Sequence, residues 1–358
     1  MKHLLFIILP IFLFLSCNDM HDVPRPTPDV DTTASKPIMV LCEGLFNMNN
    51  STLATYHPAT GAVEYRAFRK ANGRGLGDTA NDMALYGGRL FVVVNVSSQL
   101  EIIDTATMLS VKQISFFNDE GIARQPRFIT FYADHAYISC FDGYVARLDL
   151  NTLEITGWVQ CGRNPDNIVV ANGKLYVSNS GGLDNPNYDT TVSVVDLTTF
   201  TETKRIEVGP NPGSIAADSE GDVYVVTRGD YADTDYALHK IDTEIDQVIH
   251  TFADLHPLNL TIVDDVAYMY SYDFSSQQQW IKTFDCLTDR IISDNFITDG
   301  TSLQTPFGID VDPINGDVYI CEAYDFVLWG DVLCFDADGR LKYRINEIGL
   351  NPNTTIVK

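Results

Sequence analysis

Five stretches of this chain gather side chains suited to holding a ligand: 46–50, 181–189, 228–236, 272–280 and 324–330. They carry Phe46 and Asn47, then Tyr188, then Arg228 and Tyr231, then Tyr272, Phe274 and Trp280, and finally Tyr324, Phe326 and Trp329. Shorter connecting segments add Arg74, Asn95, Phe141 and Arg163. Rigid aromatic rings bury area at little entropic cost, while guanidinium and amide groups fix the orientation of what they hold. We read this set as the ligand-binding residues of a non-enzymatic protein. Metal chemistry has weaker support. Asp230, Asp233 and Asp235, with Asp184 and Asp189, offer oxygen ligands but lack the ordered spacing of a calcium loop, so a charged turn is the simpler reading. The seven His make no HxxxH or HExxH, and no Gly-x-Ser-x-Gly, phosphate loop or dinucleotide fingerprint occurs.

These stretches are spaced by a repeated phrase. One half is a short apolar run ending in Asp-x-x-Thr or a relative of it, at Asp104, Asp149, Asp196, Asp242, Asp285 and Asp336, with a degenerate first copy at Tyr56-His57. The other half opens on Pro, at Pro126, Pro165, Pro212, Pro257, Pro306 and Pro352. Successive Asp anchors lie 43 to 51 residues apart. A period of that size with four strand-sized segments per copy predicts an all-β fold, a β-propeller with four-stranded blades. Within 164–208 the expected strands follow Asn164-Pro165, then the Asn172-Gly173 hairpin turn, then Thr191, then Thr201. Second strands such as Lys174 to Ser178 are apolar at consecutive positions, as a strand covered on both faces should be, and helical periodicity is absent.

The chain ends complement each other. Pro37 to Leu41 matches a second strand with no inner strand before it, and Asn351 to Val357 matches an inner strand with nothing after it. The last strand should therefore complete the first blade, three strands from one end and one from the other, closing a ring of seven. In that topology the long loops share one face, where function concentrates, and the tight turns share the other. The inner strands bring Asp82, Asn167, Ser214, Asn259 and Asp310 towards the central channel, without a His.

Residues 1–16 read as a lipoprotein signal peptide: Lys2 and His3, an apolar run from Leu4 to Leu15, then Ser16 before Cys17. Twelve apolar residues are too few for a permanent span. Cys17 is the expected lipidation site, 17–36 a disordered tether rich in Pro and Asp, and 37–358 the propeller. This points to an outer-membrane lipoprotein exposed at the cell surface, membrane-bound through its lipid only. A net charge of −24 argues against a nucleic-acid partner. No two of the remaining Cys form CxxC; Cys42, Cys140 and Cys321 fall in second strands as small buried residues, and Cys321 and Cys334 flank one hairpin where a disulfide is an option.

The phrase Asn-Pro-x-x-Ile, Gly-x-Leu-Tyr-Val, Val-x-Asp-Leu-x-Thr, clearest at 164–199, resembles the YncE-like seven-bladed propellers over residues 37–358. Together with the signal segment and the opening run Val40 to Asn47, the chain is similar to the BtuG group of surface lipoproteins of Bacteroides-type bacteria. That resemblance implies capture of cobalamin (vitamin B12) as ligand rather than cofactor, and its transfer to an outer-membrane TonB-dependent transporter. On this reading aromatic rings pack on the corrin, amides meet its amides, and Arg74, Arg163 or Arg228 approaches its phosphate. The alternatives are a glycan- or protein-binding propeller of another uptake system and a calcium-dependent propeller hydrolase or lactonase.

Overall fold

A computed structural model of the chain describes residues 36–232, 234, 236–273 and 276–358. The signal segment, Cys17, nearly all of the tether, Phe274, Asp233 and Asp235 lie outside these residues.

The strands form seven antiparallel four-stranded sheets, the blades of a β-propeller. Blade 1 is split as expected: Pro352–Val357 is its inner strand, followed outward by Ile38–Cys42, Thr52–His57 and Ala62–Glu64. Blades 2 to 7 follow in chain order, with inner strands Ala80–Tyr86, Pro126–Tyr132, Pro165–Ala171, Pro212–Ala217, Asn259–Val263 and Pro306–Val311. The second strands are the most buried elements; Val223–Thr227 and Val318–Glu322 are covered throughout. Apolar residues form a separate cluster between each pair of neighbouring blades, for example Phe91, Ile102 and Phe116 of blade 2 against Ile138 and Leu148 of blade 3. Fully burying one such side chain is worth about 1.5–3 kcal/mol, so the ring stands on its interblade layers.

Both halves of the repeated phrase have a physical explanation. Asp104 Oδ1 accepts the Thr107 N–H (2.8 Å) and hydroxyl (2.7 Å), and Asp196 does the same for Thr199, closing the turn into the outer strand. The next residue is left-handed each time, Met108 at φ 58 and Phe200 at φ 53, and its N–H returns to the Asp carbonyl. Ahead of the inner strand the residue preceding Pro is also left-handed: Gln125, Asn164, Asn211 and Asn351 have φ of 53, 47, 58 and 52. Asn tolerates that region best among residues with a side chain, which accounts for the recurrent Asn-Pro.

One expectation needs correction. A six-residue helix, Ala67–Asn72, lies between blades 1 and 2, capped by Gly73 at φ 67; it buries only Ala67 and Phe68, too short a face to register as periodicity. Cys321 and Cys334 are free thiols, as are the other described Cys, because the register sets Cys321 opposite Val332 and Cys334 opposite Tyr319.

Candidate functional site at the channel mouth

One backbone hydrogen bond recurs around the loop face. The N–H of the residue that follows a second strand donates to the carbonyl of the residue that precedes an inner strand: Glu43 to Asn351, Asn95 to Thr79, Phe141 to Gln125, Ser180 to Asn164, Arg228 to Asn211 and Ala323 to Thr305. These six side chains therefore occupy equivalent stations around the mouth of the central channel. Three of them, Asn95, Phe141 and Arg228, were expected in the site from sequence.

The chemistry at the mouth centres on Asp166, which is almost wholly buried. Arg127 donates to its Oδ1 at 2.9 Å, and Arg228 Nη1 reaches Oδ2 at 3.3 Å. Arg127 also bonds Asn81 and stacks on Phe141, its guanidinium carbon 4.5 Å from the ring centroid. Arg228 lies flat against Gly213, where an added Cβ would come within 2.7 Å of the guanidinium carbon. Its Nε is buried and makes no hydrogen bond. Burial acts to depress the Arg228 pKa, but Asp166 and the nearby phenols of Tyr231, Tyr270 and Tyr236 outweigh it and hold the group above its ordinary value. Glu43 faces the same region; burial raises its carboxyl pKa, Arg127 partly offsets this and Asp78 adds to it. The arrangement presents two guanidiniums that share one buried carboxylate, beside an aromatic collar.

Tyr188 and Tyr231 of that collar were expected from sequence, and Phe326 and Phe46 stand on the loops of blades 7 and 1. Tyr188 meets Tyr231 edge-on at 5.9 Å between centroids, and Tyr231 meets Tyr236 at 6.2 Å. Phe326 stands edge-on to Phe307 of the blade 7 inner strand at 5.5 Å. Phe46 is 70% exposed on a blade 1 loop that Asp78 holds by accepting the N–H groups of Asn47 and Asn49.

Other expected residues lie elsewhere or are occupied. Asn95 is buried and donates to the Pro126 carbonyl at 3.0 Å, bridging blades 2 and 3. Arg74 is committed to Glu101, which is buried in the third strand of blade 2 and also accepts from Ser110 and Gln113. Arg163 pairs with Asp184 at 2.8 Å and bonds the Asn187 carbonyl, lining a rim cleft of about 500 Å³ with Leu183 and Arg205. Tyr272 is buried, and Trp280 packs against the blade 5–6 core under Lys282. Tyr324 and Trp329 belong to a separate cleft against the outermost strand of blade 7. Sequence reasoning missed Arg127 and Glu43; each sits beside a strand end, with no loop to mark it.

Channel-lining polar groups mostly join blades. Asp82 accepts the Ile129 N–H, Asp310 accepts the Thr355 N–H and hydroxyl, and the Ser214 hydroxyl bonds Leu260. Among the acids considered for calcium, Asp189 caps Thr190 and Thr191. Among the described residues, no three His, Cys, Asp or Glu gather closely enough to hold a metal.

A seven-bladed propeller with a charged, aromatic channel mouth on its loop face is the class of protein that this architecture defines. The chain belongs to the family described as a domain of unknown function, DUF5074, whose model matches residues 36–348. No curated protein matches it. Among solved structures it is similar to a quinonprotein alcohol dehydrogenase-like protein from Bacteroides thetaiotaomicron, at 16% identity and a TM-score of 0.67 over 90% of this chain and 78% of that one. It is also similar to a functionally unknown protein from Desulfotomaculum acetoxidans, at 11% identity and 0.64 over 90% and 99%. A third likeness is to the dihydro-heme d1 dehydrogenase NirN, at 12% identity and 0.58 over 94% and 78%. At these identities the likeness concerns the fold alone.

Proposed function

We propose that this protein is a lipid-anchored, surface-exposed capture protein for cobalamin, acting without catalysis and passing its ligand to an outer-membrane TonB-dependent transporter. The observation that carries the reading is the Arg127–Asp166–Arg228 cluster under the collar of Tyr188, Tyr231 and Tyr236. A corrin is broad and flat with apolar edges, a fringe of amides and one phosphate. The collar supplies ring faces, and the part of the Arg228 guanidinium that remains exposed, with its side chain 25% accessible, supplies donors for the phosphate. Of the three Arg considered from sequence for that role, Arg74 is committed to buried Glu101 and Arg163 pairs with Asp184, whereas Arg228 shares the single carboxylate of Asp166 with Arg127, so the pair of guanidiniums keeps a net positive charge. The BtuG-like leader and tether supply the anchoring half of the reading.

Calorimetric titration of the protein with cyanocobalamin tests it. Saturable heat at micromolar concentrations, abolished by Arg228→Ala, is expected; no heat removes the cobalamin reading.

A further inference from the structure

We propose that the cleft where blade 7 meets blade 1 is a second ligand site, built for a neutral saccharide. It goes beyond the cobalamin reading and does not depend on it.

The cleft holds about 410 Å³, within the range of small-ligand pockets. It exists because the blade 7 hairpin departs from regular pairing. Gly330 pairs with Gly349 and Val332 with Ile345, so the outer strand, Leu341–Leu350, carries three residues opposite Asp331 alone. Bulges of this kind re-aim side chains and collect beside functional sites. Here the bulge brings Asn346 and Glu347 to the cleft wall. Glu347 is left-handed at φ 51, a conformation a Glu resists, and Asp331 holds it there by accepting its N–H at 2.8 Å.

Asp331 is the hub of the floor. Its side chain is 5% exposed, and Oδ2 accepts the Tyr324 hydroxyl at 2.6 Å and Arg344 Nη1 at 3.3 Å. The floor thus fixes a hydroxyl and a guanidinium with further hydrogen-bonding capacity towards the cleft. At the lip, Trp329 is 39% exposed and Tyr65, from blade 1, is 40% exposed. Their rings stand 6.1 Å apart at 45°, and the Arg66 guanidinium lies 6.0 Å from the Trp329 centroid.

A sugar ring has one face of C–H bonds and an edge of hydroxyls that both donate and accept. The exposed indole and phenol match the face; Tyr324, Asp331, Arg344 and Asn346 match the edge. An anion fits less well, since Asp325, Asp331 and Glu347 outnumber Arg344 and Arg66 around the cleft.

The test titrates methyl glycosides of glucose, galactose, mannose, xylose and N-acetylglucosamine into the full-length protein at millimolar concentrations. Calorimetry reads glycoside binding in the parent and in each variant, Trp329 fluorescence corroborates it in the parent, and cyanocobalamin calorimetry runs in parallel. A saturable change with at least one glycoside is expected, lost in Trp329→Ala and weakened at least tenfold in Asp331→Asn, with the cobalamin response of both variants unaltered. No response to any glycoside overturns the proposal, as does a response that survives Trp329→Ala. Loss of cobalamin and glycoside binding together in Trp329→Ala, with unchanged melting, overturns the separateness of the two sites. Capture of a protein by this cleft without any glycoside response also overturns it.

Discussion

The side-chain amide of Asn351 donates to the carbonyl of Gly44, 307 residues away in sequence, at 2.9 Å. The bond lies where the two termini are laced into blade 1, beside the ladder that sets Ile38 opposite Val357 and Val40 opposite Thr355. Removing residues 350–358 should strip blade 1 of its inner strand and expose pairing edges on both sides of the gap. Loss of the cooperative thermal transition, followed by circular dichroism, is the expected outcome; unchanged melting of the truncated protein would exclude closure by the last strand.

The same seam is sterically tight at Gly308 on the blade 7 inner strand. A Cβ there would sit 2.1 Å from the Asn353 carbonyl oxygen of the closing strand. Gly308→Ala should force the two strands apart and cost about 1–3 kcal/mol, the usual penalty of overpacking. Urea unfolding measures it, and a midpoint equal to that of the parent would contradict the contact.

Burial pushes the carboxyl of Asp82 up to about 7 and that of Asp310 up to about 6, with the hydrogen bonds from Ile129 and Thr355 opposing the rise. The folded protein holds these protons more tightly than the unfolded chain. Their contribution is therefore complete at low pH and is lost as pH climbs through the raised values. His239 works in the opposite sense, lowered by burial to about 4, so it removes stability as pH falls below 6.5. Between pH 6.5 and about 8 only the carboxylate effect remains, and Tm should fall as pH rises. Asp82→Asn keeps an acceptor for Ile129 and should flatten that slope; parallel melting curves for variant and parent would refute the assignment.

Asp166 and Arg228 should separate by phenotype. Asp166→Ala leaves two guanidiniums beside a buried site without their counter-charge, and should destabilise the fold by about 3 kcal/mol. Arg228→Ala leaves Asp166 paired with Arg127, so melting should be little changed while cobalamin heat disappears. Equal melting of the two variants would show that the cluster is not organised around Asp166.

The regular parts of this fold are legible because each rests on local physics. Asp196 with Thr199, Asn164 with Pro165 and the apolar run at Leu175 each specify a turn, a left-handed corner or a doubly covered strand through near neighbours. The split blade is legible because the last strand and the first strand each lack the neighbour that the other supplies. The site is only partly legible. Composition finds Arg228 and Tyr231, but it cannot tell that Arg74 is spent on Glu101, because that partner belongs to a strand pattern and meets Arg74 only after folding. Arg127 is missed for the converse reason: following Pro126, it looks like a strand residue, and its reach to Asp166 of the next blade is a product of ring geometry.

The stations around the channel mouth are joined through main-chain atoms, Glu43 to Asn351, Phe141 to Gln125 and Arg228 to Asn211 among them. What projects from most stations is therefore uncoupled from what secures it; Asn95 and Ser180, whose side chains also bond backbone carbonyls, are the exceptions. A carboxylate, an amide, a phenyl ring, a hydroxyl, a guanidinium and a methyl already share the six positions on one scaffold. Such a ring works like an interchangeable keyboard: its specificity can be rewritten key by key while the frame beneath keeps the same connections.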